Sequence, residues 1–284
     1  MARNEKPVKI GLYVPNFGKS SHPQHLVQMA VEAEKSGWDG FFLWDHIVEW
    51  DKRVPLSDSL TTLAGIATMT KRIKIGTTLS PIPRYKPWAV ARQITTLDHL
   101  SNGRMILSVG LGAVESCDYA RFGENPDNKV LAEKLDESLR IIAGLWTGKK
   151  FSFQGKHYRM KPSVFLPRPK QMPRIPIWVG GFWPRKGPFI RAARWDGVLP
   201  LRVPEELPQP DDLKEIMDFI DKRRKGQGRF DVATIGWTTG NRTKDREKIE
   251  RYKNAGTTWW LESLYTKSDS PDGMRSIIRR GPPG

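Results

Sequence analysis

The stretch "FFLWDHIVEW" (residues 41–50) runs from four large apolar residues straight into Asp45 and His46. A strand-sized apolar run bounded in this way reads as a buried β-strand whose end reaches a polar face. Similar runs rich in β-branched and aromatic residues recur along the chain, each followed by a helix-like stretch, and this alternation is the mark of parallel βα units. Eight are present: "VKIGLYV" (8–14), "GFFLW" (40–44), "IKIGTTL" (73–79), "RMILSVG" (104–110), "IPIWVG" (175–180), "DGVLP" (196–200), "VATIGW" (232–237) and "TTWWLES" (257–263). Between them apolar residues fall at three- or four-residue spacing: Leu26, Ala30 and Ala33; Ala91, Ile94 and Leu97; Leu131, Leu135, Leu139 and Ile142. That period predicts helices that bury one stripe against a sheet. Gly37 and Gly256 stand where a helix C-cap glycine precedes the next strand.

Eight βα units in 284 residues fit a closed (β/α)8 barrel, where an open doubly wound sheet would show fewer strands. The expected architecture is therefore α/β, a single TIM barrel domain over residues 1–284. One connection is too long for a simple unit. Residues 147–174 read as a short hairpin and a Pro-rich excursion between the fourth helix and the fifth strand, and loops of that length tend to be functional or mobile.

Composition bounds the function. With 38% hydrophobic and 27% charged residues the chain is a folded domain, not a disordered segment. Its longest apolar runs are strand-sized, so no membrane span is expected. No apolar stretch of signal-peptide type precedes the first strand, and the lone Cys117 suits a reducing compartment, so the expected location is the cytoplasm. Lys and Arg total 47 against 31 acidic residues, a net +16, which attracts anions. The basic residues are spread along the chain without a nucleic-acid-binding pattern, so a small-molecule partner is expected and nucleic acid is not.

Barrel enzymes build their sites on the C-terminal face, so only polar residues at strand ends qualify. Asp45 and His46 follow the second strand; Thr77, Thr78 and Ser80 end the third; "GLGAVES" follows the fourth, "GGFWPRK" the fifth, and Glu262 lies at the end of the eighth. Histidine titrates near neutrality and can exchange a proton at an alcohol or carbonyl; it can equally bond backbone at the strand end. In "WVGGFWPRKG" (178–187) two glycines after a strand and the N–H groups of the following helix form an anion cradle, with Arg185 or Lys186 as countercharge. A glycine pair is also the default for a strained turn. No spacing of His or carboxylates converges on a metal. Paired carboxylates for glycoside hydrolysis, Asp45 with Glu115 or Glu262, are a further arrangement the residues permit.

The chain resembles the bacterial luciferase-like family of flavin- and deazaflavin-dependent oxidoreductases. The resemblance rests on "AEKSGWDGFFLWDH" (33–46), "TKRIKIGTTLSPIPRYKPWAVARQITTLDHLSNGRMILSVGLG" (70–112), "KLDESLRIIAGLWTG" (134–148), "FQGKHYRM" (153–160), "FLPRPKQMPRIPIWVGG" (165–181), "RAARWDGVLP" (191–200) and "AGTTWWLESL" (255–264). It implies a barrel with a flavin-type ring over its mouth and the cofactor phosphate near the fifth strand, and a homodimer. Asp45 and His46 would lie beside the ring, with His46 as acid/base and Trp50 as pocket wall, a pattern of the branch that uses coenzyme F420; FMN is the alternative cofactor. Thr77, Thr78 and Leu79 match the family's bulged third strand. Gly110 and Gly112 would line the cofactor, and Gly180, Gly181 and the residues after them, Trp183 and Arg185 included, would take the phosphate.

Two departures separate the chain from the family's sugar-phosphate dehydrogenase branch. The third-strand segment before "PRYKP" is one residue shorter, which leaves open whether that branch's unusual cis peptide is kept here. Ala113 replaces the acidic residue after "GxG", which argues against a sugar phosphate. The expected activity is hydride transfer between F420 and a small organic substrate; the alternative is oxygen insertion by reduced FMN.

Overall fold

The computed structural model describes residues 7–48, 53–112, 118–203, 207–224, 228–265, 267–268 and 270–283. In chain order the strands are β1 (Lys9–Val14), β2 (Gly40–Leu43), β3 (Lys74–Pro81), β4 (Met105–Gly110), β5 (Phe151–Gln154), β6 (Arg159–Ser163), β7 (Ile177–Trp183), β8 (Gly197–Arg202), β9 (Asp231–Gly236) and β10 (Trp259–Ser263). β5 and β6 form an antiparallel hairpin, and the other eight close into a parallel barrel in which β10 pairs with β1. Helices α1 (Pro23–Lys35), α2 (Ser59–Met69), α3 (Pro87–Leu100), α4 (Asn128–Trp146), α5 (Lys186–Ala192), α6 (Pro210–Asp221), α7 (Arg242–Asn254) and α8 (Pro271–Arg279) each follow one barrel strand. The expected (β/α)8 barrel is thus what the chain forms. Gly37 and Gly256 end their helices at φ of 89° and 108°, left-handed values that a Cβ would penalise.

Three aromatic rings lead the packing of the barrel interior, beside Ile106, Leu199, Ile235 and Leu261. Phe42, Trp178 and Trp259 are buried with ring centroids 5.4–5.6 Å apart. Space for them comes from neighbouring glycines. A Cβ on Gly40 would stand 2.5 Å from the Phe42 ring, and one on Gly197 2.4 Å from Trp178. Outside the strands a second apolar layer receives the helical stripes, including Leu26, Ala30 and Ala33 of α1 and Leu135, Leu139 and Ile142 of α4.

Two strands run further than the sequence suggests. β3 reaches Pro81 and shifts register against β4 between Thr77 and Ser80, a bulge, and its Thr78–Leu79 peptide is cis, which answers the question the shorter segment left open. β7 continues through Gly180 and Gly181 to Trp183, because its ladder with β8 extends to Trp183 and Arg202. The glycine pair is therefore strand, not turn.

The long connection also takes a definite course. Its hairpin lies against α4, where the Glu137 carboxylate accepts the backbone N–H groups of Lys156 (2.7 Å), His157 (3.0 Å) and Tyr158 (3.0 Å). The Pro-rich part runs along α3 to the start of β4: Asp98 accepts from the N–H of Lys170 (2.8 Å) and of Gln171 (3.0 Å), and the Gln171 amide donates to the Met105 carbonyl (2.7 Å). Met105 opens β4, so these contacts lie on the N-terminal face, opposite the strand ends that carry barrel chemistry.

At the chain's last helix, Glu32 of α1 accepts from Arg275 (3.0 Å) and Arg279 (3.0 Å) of α8. The Arg275 hydrogen bond, chiefly, and Arg279 hold the Glu32 carboxyl down to about 2, against partial burial. The folded value lies below the unfolded one, so this clamp contributes fully above the model-compound value of 4.5 and is lost as pH falls toward about 2. Thermal unfolding of wild type and Glu32→Gln across that window should show a gap at neutral pH that closes by the acid end; a gap independent of pH would contradict the assignment. Truncating a ring of the interior trio leaves a cavity the barrel cannot collapse around, so Trp178→Ala should cost about 3–5 kcal/mol in urea-induced unfolding.

Candidate active site

Each strand of the barrel delivers its end to one face, and the first polar side chain met there is a clamp. Asn16, just past β1 and fully buried, donates to the carbonyls of His46 (2.8 Å) and Ser57 (2.9 Å) and accepts from the His46 N–H (3.3 Å). It satisfies the backbone that leaves β2 and so fixes where His46 stands. The His46 ring lies beside Phe17 (centroids 5.7 Å) and Trp44 (5.8 Å). Tyr265 joins both, 5.8 Å from Phe17 and 5.5 Å from Trp44, and the result is an aromatic wall around the imidazole.

Asp45 turns to different partners. It is buried and accepts from the Tyr85 hydroxyl (3.0 and 3.1 Å to its two oxygens) and from Arg84 Nη2 (3.2 Å). Arg84 also donates to Tyr85 (2.7 Å) and, through Nη1, to Asp118 Oδ1 (3.2 Å). Burial raises the Asp45 carboxyl above its ordinary value, more than Arg84, Ser80 and Tyr85 lower it. For Arg84, burial works against the charge, yet Asp45, Tyr85 and Asp118 outweigh it and its pKa is raised. One guanidinium between two buried carboxylates is the electrostatic centre of this face. Asp118 Oδ2 lies 3.8 Å from His46 Nδ1, so the cluster runs from Tyr85 through Asp45, Arg84 and Asp118 to the imidazole.

The structure places the remaining expected residues as follows. Thr77 and Thr78 are buried in the β3 bulge, where Ser80 donates to the Thr77 hydroxyl (2.9 Å). Leu79 turns into the barrel and caps the interior rings. Gly110 ends β4 against Leu79, and Gly112 has φ 86° with Pro81 where its Cβ would be, at 2.7 Å. The missing Cβ of Gly180 makes room for Leu79 and that of Gly181 for Pro188 at the start of α5, both at 2.1 Å. These two glycines therefore allow close packing between elements on their Cβ side, while Gly181 stays half-buried. Trp183 is buried between Phe189 and Phe219, with Lys186 Nζ 3.4 Å from its ring centre. Arg185 is exposed, and Gly187 beside it has open space at its Cβ position. Trp50 and Glu115 lie outside the described residues. Glu262 is buried on the side of β10 that carries Trp260, and accepts from Trp260 Nε1 (2.8 Å), from the Thr238 N–H (2.9 Å) and hydroxyl (2.7 Å), and from Lys267. Its bonds tie the ends of β9 and β10 together. Among the described residues no group of three His, Cys, Asp or Glu converges on a metal site.

Sequence reading missed Asn16, Arg84, Tyr85 and Asp118. Arg84 and Tyr85 sit in the quoted "PIPRY" run, and their position just past the third strand was the available signal. The residues fit a flat cofactor at this mouth. The aromatic wall offers apolar surface, the bulge of β3 lies at the same end of the barrel, and the buried Trp44 Nε1 has no hydrogen-bond partner among the described residues.

The profile of the luciferase-like monooxygenase family matches residues 8–256. An F420-dependent glucose-6-phosphate dehydrogenase from Amycolatopsis mediterranei is 35% identical over 161 residues, 56% of this chain and 48% of that enzyme. The chain thus spans about half the length of the curated relatives it matches. Among solved structures, an F420-dependent secondary alcohol dehydrogenase in complex with an F420–acetone adduct superposes with a TM-score of 0.78 at 18% identity, over 97% of each chain. The FMN complex of the oxygenating constituent of 3,6-diketocamphane monooxygenase from Pseudomonas putida gives 0.66 at 20% identity, over 86% of this chain and 72% of that one. These two share the barrel. With the family profile extending over most of its length, from the first strand to the turn before the last, the chain belongs to the luciferase-like monooxygenase family.

Proposed function

We propose that the chain is an oxidoreductase that uses coenzyme F420 to move a hydride to or from a small, uncharged alcohol or carbonyl, with His46 exchanging the proton. The observation that carries this reading is the position of His46: at the C-terminal end of β2, clamped through its backbone by Asn16 and walled by Phe17 and Trp44. The relatives named F420-dependent support the cofactor.

The deazaflavin, when bound, supplies or accepts the hydride. The chain's own residues do the rest. Phe17, Trp44 and Tyr265 exclude water from the imidazole and offer the substrate an apolar surface. Asp45 does not serve as the base, because both its oxygens are held by Tyr85 and one by Arg84; it fixes Arg84 instead. Arg84 is committed to two carboxylates and is not left to grip a substrate phosphate, in keeping with the loss of the acidic residue after "GxG". His46 remains to give or take the substrate proton, the usual work of an imidazole at neutral pH. Arg185 and the backbone at Gly187 are the groups we assign to the cofactor's anionic tail, with Thr77, Thr78, Gly110 and Gly112 shaping the floor beneath its ring. We further place the protein in the cytoplasm as a homodimer acting on small molecules: no helix among the described residues is long and apolar enough to cross a membrane, and the basic charge lacks a nucleic-acid pattern.

A second reading is favoured by the FMN-bound barrel that superposes on this one: reduced FMN activating oxygen. Titrating the protein with F420 and with FMN, followed by absorbance and fluorescence, separates the two. Saturable F420 binding is expected; FMN binding with no F420 affinity overturns the first reading. His46→Ala should leave the fold and cofactor affinity intact and lower turnover by about 10² or more; unchanged turnover would return His46 to a structural role.

A further inference from the structure

We infer that Asp118, from the loop after β4, is the positioning residue that decides which ring nitrogen of His46 carries the proton. Asp118 is buried to 1% exposure, and its neighbour Tyr119 is anchored by a hydrogen bond from its hydroxyl to the Leu111 carbonyl. One carboxylate oxygen, Oδ1, is held by Arg84 Nη1 at 3.2 Å. The other, Oδ2, is buried without a hydrogen-bond partner and lies 3.8 Å from His46 Nδ1. A buried carboxylate oxygen without a donor is an unusual expense in a folded protein and calls for a functional reason. A shift of less than 1 Å closes this gap to hydrogen-bond length, and such contacts are commonly long before ligand binds.

Among the described residues, the other charged and titratable groups around the imidazole are engaged elsewhere. Asp45, the adjacent carboxylate, is spent on Tyr85 and Arg84. Arg84 has only donors and spends them on Asp45, Tyr85 and Asp118. Tyr265 contacts Phe17 and Trp44. From the β1 side, Asn16 bonds the His46 backbone and Phe17 is apolar. An ionised carboxylate accepts and never donates, so the Asp118 contact selects the tautomer with hydrogen on Nδ1 and the lone pair on Nε2. Two carboxylates bracketing one guanidinium acquire a purpose by this account: Arg84 holds Asp118 in place by one oxygen and aims the other at the imidazole.

The contact with Arg84 also makes the test sharp. In Asp118→Asn the guanidinium, having only donors, keeps the amide oxygen, and the amide NH2 turns to His46 Nδ1 as a donor, which drives the ring proton to Nε2. The full-length protein with 15N-labelled histidine, studied by NMR at a pH where the imidazoles are neutral, reports the tautomer of each of its five histidines; His46→Gln identifies the His46 signals. Expected are an Nδ1-protonated His46 in wild type and an Nε2-protonated one in Asp118→Asn, with the other four unchanged. An Nε2-protonated His46 in wild type overturns the inference whether or not the variant folds, and so does the same tautomer in both proteins. The effect on turnover rests on the reading of His46 as the proton-exchanging group: kcat should fall at least tenfold while KM stays within about threefold, the pattern of a contact needed only as the reaction proceeds. A reversed tautomer with unchanged kcat supports the hold of Asp118 and overturns the acid/base reading of His46, so the two failures are distinguishable.

Discussion

Eight strands enclose an interior only wide enough for side chains to fill, and how that space is filled governs much of what surrounds it. Barrels of this kind commonly stack layers of branched aliphatic residues. Here three rings join Ile106, Leu199, Ile235 and Leu261, and the room the rings need is taken from backbone positions at Gly40 and Gly197. Leu79 then closes the stack from above, and it can lie there only because Gly180 has no side chain. The floor of the functional face is therefore set by interior volume. Polar chemistry starts where the rings and their aliphatic cap end.

Above that floor a few charges are arranged with little slack. Asp45 and Asp118 come from loops after different strands, and each alone would be costly to bury. Arg84 compensates both, and Tyr85 satisfies what remains of Asp45. The assembly is better understood as a scaffold for orientation than as a source of stability, since buried ion pairs rarely repay their desolvation. A guanidinium suits this position because its donors lie in a fixed planar fork that meets two acceptors at once, which an ammonium does not reproduce.

The barrel was legible because its signal is repeated: each apolar run and each helical stripe is weak evidence, and eight in alternation leave few other folds. Gly37 and Gly256 were legible for the same local reason, a cap glycine at the end of a helical period. The cluster around His46 was not, because Asn16, Asp45, Arg84 and Asp118 are tens of residues apart and only strand register brings them together. The glycine pair at 180–181 shows how far such a signal reaches: glycine reports that something approaches closely, not what approaches, and on the Cβ side it is Leu79 and Pro188. The hairpin and Pro-rich segment were legible as an insertion, but their course along α3 and α4 was not. A connection from a helix end to a strand start begins and ends on the face opposite the mouth, which chain polarity already implies. Trp50, which resemblance placed in the pocket wall, falls outside the described residues.

The amide of Asn16 has a consequence of a different kind. It fixes the backbone at His46 with one donated and one accepted hydrogen bond and ties it to Ser57 with a second donated bond, none of which involves a charge. Ionic strength screens charged contacts and protonation abolishes them, but neither reaches a neutral clamp buried from solvent. The chain has thus divided the labour between two kinds of force. Location is entrusted to an interaction indifferent to the medium, so the backbone that carries the His46 ring keeps its place at the mouth whatever the salt or pH around it.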